Sequence, residues 1–383
     1  MSAEPRVLFV SKPVVAPWND GSKNLVRDVA THLTRARPTV LTTPGAPPLG
    51  GRVMEDAIYQ SSGRFAPGLV ANARVLLRLT TGDAHDVWSF VFAPNRASSS
   101  AAELARAIRR AAGWRGKVVQ TVASAPQRFD GVDRLLFGDV VVVLSEWTRG
   151  RMVGSGVSAG KLRVIPPCAA SPGRPSDESL REVRARYALG DAKLVLYPGD
   201  YEVSQGAATL AEAIKTVARD VPEARFVYAC REKTPRAAVA RSRIEDQIRA
   251  AGLSDRVRHV GEVDHLPALL AASSVVAFPV DDLYGKVDLP LVLLEALALG
   301  VPLLLARDGP LESITSARLV SPRDPADLAA SLTEMLTGDP GRAATIAAQG
   351  LELYTARFTP RVVAAQYDDL YEEMLVSALP GTP

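Results

Sequence analysis

The eighteen residues from Leu289 to Ala306 hold one ionisable side chain, Glu295, among otherwise uncharged and largely apolar neighbours. A carboxylate taken out of water without partners costs several kcal/mol, so its surroundings have to satisfy it. Asp288 is a favourable N-cap, Pro290 suits a first turn and Gly300 ends the run, which predicts one buried helix of about eleven residues. The N-terminus of such a helix offers unpaired N–H groups and a partial positive charge to an anion. Glu295, Gly300 and Pro302 interrupt the stretch too often for a membrane span, which leaves a core helix followed by a strand.

At 383 residues the chain exceeds the size at which single cores stop growing, so two domains are expected. Short apolar runs at Arg6–Ser11, Thr39–Thr42, Val87–Phe92, Lys117–Thr121, Val140–Leu144 and Leu162–Ile165 alternate with helical spacing at Lys23–Leu33 and Ala101–Ala112. That alternation builds a parallel sheet covered on both faces. Residues Cys168 to Asp177, rich in Ala, Ser, Pro and Gly, read as a linker. A second alternating series then runs from strand Lys193–Tyr197 to strand Val301–Ala306, followed by helices at Ala326–Thr337, Pro340–Phe358 and Pro360–Leu379. The expected architecture is α/β with two Rossmann-like, doubly wound domains, residues 1–170 and 171–360, facing a cleft. Residues 361–383 form a final helix expected to pack back on the first domain.

Two cysteines and four histidines without ligand spacing predict a reduced, metal-free protein. The first apolar run, Val7–Val10, is too short for a secretory signal, so a cytoplasmic location is expected. Residues 1–170 carry 22 Lys+Arg against 12 Asp+Glu, and the remainder carries 23 against 30. This asymmetry suits an anionic partner of the first half, and attraction between the two halves explains it equally well.

Several motifs resemble those of retaining glycosyltransferases of the two-Rossmann-domain (GT-B) class, the group 1 or family 4 type. Asn19-Asp20-Gly21-Ser22 is similar to the family's Gly-rich loop after the first strand. Leu144-Ser145 and Lys161-Leu162-Arg163-Val164-Ile165-Pro166-Pro167 resemble the stretches leading into its second domain. Asp255 to Gly261 resembles its D-R-V-x-x-x-G strand, Glu295 to Pro302 its E-A-x-A-x-G-x-P, and Gly309 to Glu312 its G-x-x-E. The resemblance spans roughly residues 5 to 372 and implies transfer of a sugar, with retention, from a nucleotide-diphosphate sugar to a hydroxyl acceptor. It implies no metal or other cofactor. On this reading Glu295 takes the ribose, and Val287, Leu289 and the adjoining helix start take phosphate. Gly199 belongs to the donor loop, and Gly21 with Ser22 closes over the donor.

The sequence also departs from that family. Its first Glu falls on Val287, leaving Asp288 as the nearest carboxylate for the donor sugar or as a helix cap. The Arg and Lys that clamp the diphosphate are replaced by Asp200 and Gln205 in Gly199–Gly206, with Lys286, Arg231 and Lys233 as substitutes. The family's Thr-x-His reads Thr121-Val122-Ala123, with Ser124 next as the remaining catalytic-side hydroxyl. His85 nearby reads as a surface or capping residue. A catalytically weak or inactive family member that binds a nucleotide or glycan as a scaffold is the competing reading.

Arg74 and Arg78 stand one turn apart in the apolar stretch Leu69–Leu79. They predict either a docking face for a lipid-linked or glycan acceptor at an anionic inner membrane surface, or the solvated edge of a core helix. Aromatic residues do not interleave with the basic ones, so nucleic acid is not expected as a partner.

Overall fold

A computed structural model describes residues 4–60, 68–232 and 234–376. The chain divides into two compact units. The first comprises residues up to Ala170, the segment Tyr284–Leu291 and the chain from Arg357 onward; the second comprises Ser171–Leu283 and Val292–Ala356.

In the first unit β1 (Arg6–Val10), α1 (Gly21–His32), β2 (Arg37–Leu41), β3 (Met54–Asp56), α2 (Leu69–Thr81) and β4 (Val87–Phe92) come in turn. They are followed by α3 (Arg96–Ala111), β5 (Lys117–Val122), β6 (Val140–Val143), α4 (Glu146–Gly154) and β7 (Leu162–Val164). The strands form one seven-stranded sheet in the order β3-β2-β1-β4-β5-β6-β7, and all its pairings are parallel. Parallel strands are covered on both faces, which is why Val7 to Val10 and Val141 to Val143 are unbroken apolar runs and wholly buried.

The second unit holds α5 (Asp177–Arg186), β8 (Lys193–Tyr197), α6 (Gly206–Asp220), β9 (Ala224–Tyr228), α7 (Pro235–Ala250), β10 (Val257–His259), α8 (Leu266–Ala271) and β11 (Val275–Phe278). After the excursion into the first unit come α9 (Leu291–Ala298), β12 (Leu303–Ala306), β13 (Arg318–Val320), α10 (Pro325–Thr337) and α11 (Pro340–Arg357). Its six-stranded sheet has the order β10-β9-β8-β11-β12-β13 and is also parallel throughout. The doubly wound α/β class expected from the sequence is the one observed in both units.

The last helix, α12 (Pro360–Val376), belongs to the first unit and packs on α1. Tyr367 and Tyr371 are buried with Leu25, Val26, Val29 and Ala30. Their hydroxyls meet Thr121 Oγ1 at 3.2 Å and Ser89 Oγ at 3.1 Å, which removes the penalty for burying two phenols. Asp368 Oδ2 accepts from Thr34 N at 2.9 Å, Thr34 Oγ1 at 3.2 Å and Arg35 N at 3.1 Å, closing the turn after α1.

Four elements exceed the sequence expectation. The edge strands β3 and β13 are three residues each, too short to show a period. Helix α4 buries only Thr148 and Met152, and α5 only Val183, so neither has a visible apolar stripe. Both do carry Ser N-caps, Ser145 and Ser176, with an acidic first turn. Helix α3 likewise starts at Arg96, not Ala101, because Asn95 caps Ser98 N at 2.9 Å.

The helix around Glu295 is shorter than predicted, eight residues from Leu291. Asp288 lies before it with its carboxylate engaged elsewhere, so it does not act as the cap. The C-terminus is as expected: Gly300 has φ +68° and Val301 N returns to Ala296 O at 2.9 Å, an αL stop that a residue with a Cβ resists. Glu295 is half-buried, not buried, because its flank of α9 faces outward while Leu293, Leu294, Ala296 and Leu297 face the core.

Candidate active site

The residues singled out from the sequence fall on both units. Gly21, Ser22, Ser124, Lys286, Val287, Asp288 and Leu289 belong to the first, and Gly199, Arg231 and Glu295 to the second.

In the first unit β1 delivers the chain into a loop that ends at the N-terminus of α1. Asp20 caps that helix, accepting from Ser22 N at 3.0 Å, Ser22 Oγ at 2.6 Å and Lys23 N at 3.2 Å. Lys12 Nζ reaches the other carboxylate oxygen at 2.7 Å. Burial pushes the Asp20 carboxyl up, and the bonds from Lys12 and Ser22 outweigh it, holding it below its ordinary value. Lys23 is only 8% exposed, and its ammonium lies 5.7 Å from the centre of the Trp18 ring. Burial lowers its pKa, with Asp20 opposing and Lys12 adding to the effect. Arg27 lies over the same ring at 4.7 Å and pairs with Asp28 at 2.6 Å.

The segment Tyr284–Leu291 passes against this loop. A Cβ on Gly21 would stand 3.3 Å from both methyls of Val287, so the glycine allows a contact that any other residue would crowd. The structure thereby brings together Gly21 and Val287. One residue on, Asp288 is 2% exposed and its Oδ2 accepts from Ser145 Oγ and Thr148 Oγ1, both at 2.6 Å. Ser145 is also the N-cap of α4, accepting from Thr148 N at 3.1 Å. Burial raises the Asp288 pKa, with both hydroxyls opposing. Asp288 is thus held inside the first unit by α4 and not on a surface open to a ligand. Leu289 is fully buried and Lys286 half-buried.

In the second unit the loop Gly199–Gly206 follows β8. Asp200 Oδ1 accepts from Glu202 N at 3.2 Å and Val203 N at 2.9 Å, and Asp281 Oδ1 accepts from Gln205 N at 2.8 Å. N–H groups that could face an anion are here turned onto carboxylates of the chain itself. A Cβ on Gly199 would fall 2.3 Å from the Tyr197 ring, so this glycine is a packing requirement. Arg231, one of the expected phosphate ligands, pairs with Glu262 at 3.5 Å. Lys233 lies outside the described residues. At the end of the Gly309–Glu312 stretch, Glu312 Oε1 accepts from Asp308 N at 2.7 Å.

A cluster not foreseen from the sequence lies at the ends of β9 and β10. Tyr201 Oη and His259 Nδ1 share a hydrogen bond of 2.8 Å, and the His259 ring stacks on Tyr228 at 4.9 Å and 15°. Burial holds the His259 pKa down at about 4, with Glu245 opposing and Arg241 assisting. The residues are dispersed over the loop after β8 and two strands, so no linear spacing announces them.

Ser124 lies two residues beyond β5, half-buried. His85 is buried rather than at the surface: its ring nitrogens bond Asp83 O and Thr39 Oγ1, each at 3.1 Å, because it lies between the α2–β4 turn and β2. The basic stripe expected of α2 is also revised. Arg78 Nε is paired with Asp56, and Arg74 Nη1 turns to Ile58 O at 3.5 Å, so both serve the β3 edge. The exposed face of α2 carries Val70, Ala73 and Leu77, and α3 beside it exposes Leu104 and Ile108.

No described helix is long and apolar enough to cross a membrane, and no cluster of three or more His, Cys, Asp or Glu suited to a metal occurs among the described residues.

Residues 192–338, the body of the second unit, match the family model described as "Glycosyl transferases group 1". They form a group 1 glycosyl transferase domain. The enzyme class expected from the motifs, a glycosyltransferase of GT-B fold, is therefore the one found. A GDP-mannose-dependent alpha-(1-6)-phosphatidylinositol monomannoside mannosyltransferase of Mycobacterium tuberculosis is 27% identical over 95% of this chain and 97% of its own. An alpha-D-kanosaminyltransferase of Streptomyces kanamyceticus is 28% identical over 50% of this chain and 49% of its own. Among solved structures, an Anabaena protein, HepE, in complex with UDP-glucose aligns with TM-score 0.73 and 17% identity, covering 97% of this glycosyltransferase and all of that chain. A sucrose-phosphate synthase of Thermosynechococcus elongatus aligns with TM-score 0.74 and 21% identity over 98% and 100%.

Proposed function

We propose that this glycosyltransferase moves a hexose from a nucleoside-diphosphate sugar to a hydroxyl of a glycan or lipid-linked acceptor, with retention of configuration and without a metal. The observation that carries the reading is the group 1 domain with Glu295 as the half-buried carboxylate of α9, the one acidic side chain in an apolar stretch of eighteen residues. In this role Glu295 receives the ribose hydroxyls. Lys286, Arg231 and the N–H groups from Val287 to Leu289 stabilise the departing diphosphate, Gly21 and Ser22 border the donor, and Ser124 meets a substrate hydroxyl. Asp288 acts by positioning the segment that carries Val287. The relative that matches nearly the whole chain is named for GDP-mannose and a phosphatidylinositol monomannoside, which makes GDP-mannose the first donor to test.

The exposed apolar residues of α2 and α3, in a first half of excess positive charge, favour contact with the cytoplasmic face of an anionic membrane. The faces that carry it are Val70 with Leu77 and Leu104 with Ile108, not the paired Arg74 and Arg78.

One observation favours the competing scaffold reading. The loop Gly199–Gly206 bears Asp200 and Gln205 and no cation, which weakens charge stabilisation of a leaving diphosphate. Calorimetry with GDP, UDP and ADP, followed by transfer of labelled mannose from GDP-mannose to an extracted lipid fraction, separates the two. Binding with transfer supports the enzyme, binding without transfer supports the scaffold, and Glu295→Ala with unchanged nucleotide affinity overturns the ribose assignment.

A further inference from the structure

Helix α10 lies on α6 and turns at Gly338 and Asp339 into α11. Ser274 and Pro302 stand just ahead of β11 and β12, and Arg318 opens β13, so this corner faces the ends at which strands of the second sheet begin. Between the corner and the strand ends lies a half-open hollow of about 480 Å³, its mouth included. Pro302, Met335 and Ile346 give it apolar walls, and Met335, unbranched and polarisable, adapts to what it touches. At the rim one oxygen of Glu334 accepts from Arg342 at 2.7 Å and the other lies 3.3 Å from Arg318. Arg318 Nε reaches Ser331 Oγ at no better than 3.5 Å. One carboxylate thus stands between two guanidinium groups and cannot occupy the donors of both. The other acid of the lining, Asp339, is committed to the start of α11: its Oδ1 accepts from Gly341 N at 3.2 Å, and the helix dipole offsets its charge. What is left at the rim is the charge of one guanidinium.

We propose that this hollow binds a small amphipathic anion, an apolar body of a few carbons that carries one carboxylate or phosphate monoester. The body rests on Pro302, Met335 and Ile346, and the anionic head enters between Arg318 and Arg342 and takes the donors that Glu334 leaves over. The Glu334 side chain is 43% exposed, so it has room to turn toward solvent as the head arrives. Apolar walls with a few convergent polar groups, in a hollow of this size, are what a small-molecule site requires. Carboxylate and phosphate ester present the same paired oxygens to a guanidinium, so both belong to the ligand class. The donor-side residues Gly199 and Arg231 follow β8 and β9, at the opposite ends of the same parallel sheet. The hollow is therefore a second position at which a metabolite meets this unit, and it does not depend on the transferase reading.

The test is calorimetric titration of the full chain with hexanoate and with hexyl phosphate, each with and without saturating GDP. Hexanol and inorganic phosphate serve as the separate halves of the ligand. We expect saturable binding of at least one of the two anions, about tenfold or more tighter than either half and unchanged by GDP. The anion that binds more tightly fixes the head group. Arg342→Gln removes one guanidinium from a side chain that is 63% exposed, and should weaken binding about fivefold without disturbing the fold. Ala343→Phe, on the first turns of α11, fills the apolar space and should weaken binding by about tenfold or more. Should that variant fail to fold, Arg342→Gln decides alone. Binding of neither anion overturns the proposal, as does wild-type affinity in the folded variants. Displacement by GDP also overturns it, because the anion would then sit at the donor site. A wild type that binds an amphipathic anion through Arg342 and binds no GDP supports this site and counts against the nucleotide-sugar reading alone.

Discussion

Thr148 gives its hydroxyl to Asp288 Oδ2 at 2.6 Å, the same oxygen that accepts from Ser145, so one buried carboxylate oxygen ties the Tyr284–Leu291 segment to the first turn of α4. The Asp288 pKa is raised by burial above its ordinary value, so the ionised group opposes folding at neutral pH. That opposition fades as pH falls through the folded pKa. Asp288→Asn keeps an acceptor oxygen and removes the charge, and we expect its stability to change by less than about 1 kcal/mol with transfer retained. Asp288→Ala leaves two buried hydroxyls without their acceptor and should lose about 2–4 kcal/mol. All four tryptophans lie in residues 1–170, so urea unfolding followed by tryptophan fluorescence reads the first unit directly. Loss of transfer in a fully folded Asp288→Asn would instead make the carboxylate a ligand of the sugar.

What was legible in the sequence was what periodicity and caps encode. The long apolar strands and amphipathic helices such as α6 declare themselves, and Gly300 marks its helix end through a backbone conformation only glycine adopts freely. The start of α9 was misjudged because Asp288 has the chemistry of a cap and the structure gives it different donors, residues 143 and 140 positions earlier in the chain. A partner so distant leaves no local trace. The arginines of α2 misled in the same way, since Asp56 that neutralises Arg78 lies on a three-residue strand with no period to reveal it.

Gly21 and Val287 provide a second prediction. Alanine at Gly21 places its methyl 3.3 Å from both Val287 methyls, tighter than comfortable packing, so the segment has to yield by a few tenths of an ångström. We expect Gly21→Ala to keep stability within about 1 kcal/mol, since alanine also favours a helix, while nucleotide affinity falls. Adding Val287→Ala removes the crowding and should restore affinity, a coupling that a double-mutant cycle measures. Additive effects in that cycle would show that the contact does not transmit to the site.

His259 makes the second unit sensitive to acid. Its pKa is held near 4 in the fold against 6.5 as its ordinary value, so between these limits the unfolded chain binds a proton that the folded chain refuses. Stability from the neutral ring is therefore complete above about pH 6.5 and is lost as pH falls toward 4, of order 1–3 kcal/mol in all. His259→Phe should flatten the dependence by removing the titrating group. The second unit has no tryptophan, so tyrosine fluorescence or circular dichroism in urea at pH 7, 5 and 4 is the measurement. An equal acid sensitivity in the variant would place the cause elsewhere.

Asp368 decides whether the last helix is a structural part of the first unit. Its Oδ2 takes two backbone N–H groups and a hydroxyl from Thr34 and Arg35, and these donors have no other acceptor once the carboxylate is removed. The second oxygen, Oδ1, is buried without a hydrogen-bond partner, so Oδ2, which Arg35 Nε also approaches at 3.9 Å, does the accepting. Asp368→Ala should destabilise the first unit by about 2–4 kcal/mol, and Asp368→Asn, which keeps one accepting oxygen, by less. Tryptophan-detected unfolding would shift to lower urea in that order, while the transition of the second unit stays in place. Removal of the chain after Thr359 takes away Tyr367 and Tyr371 as well, exposing the α1 face they cover, and should abolish the tryptophan-detected transition altogether.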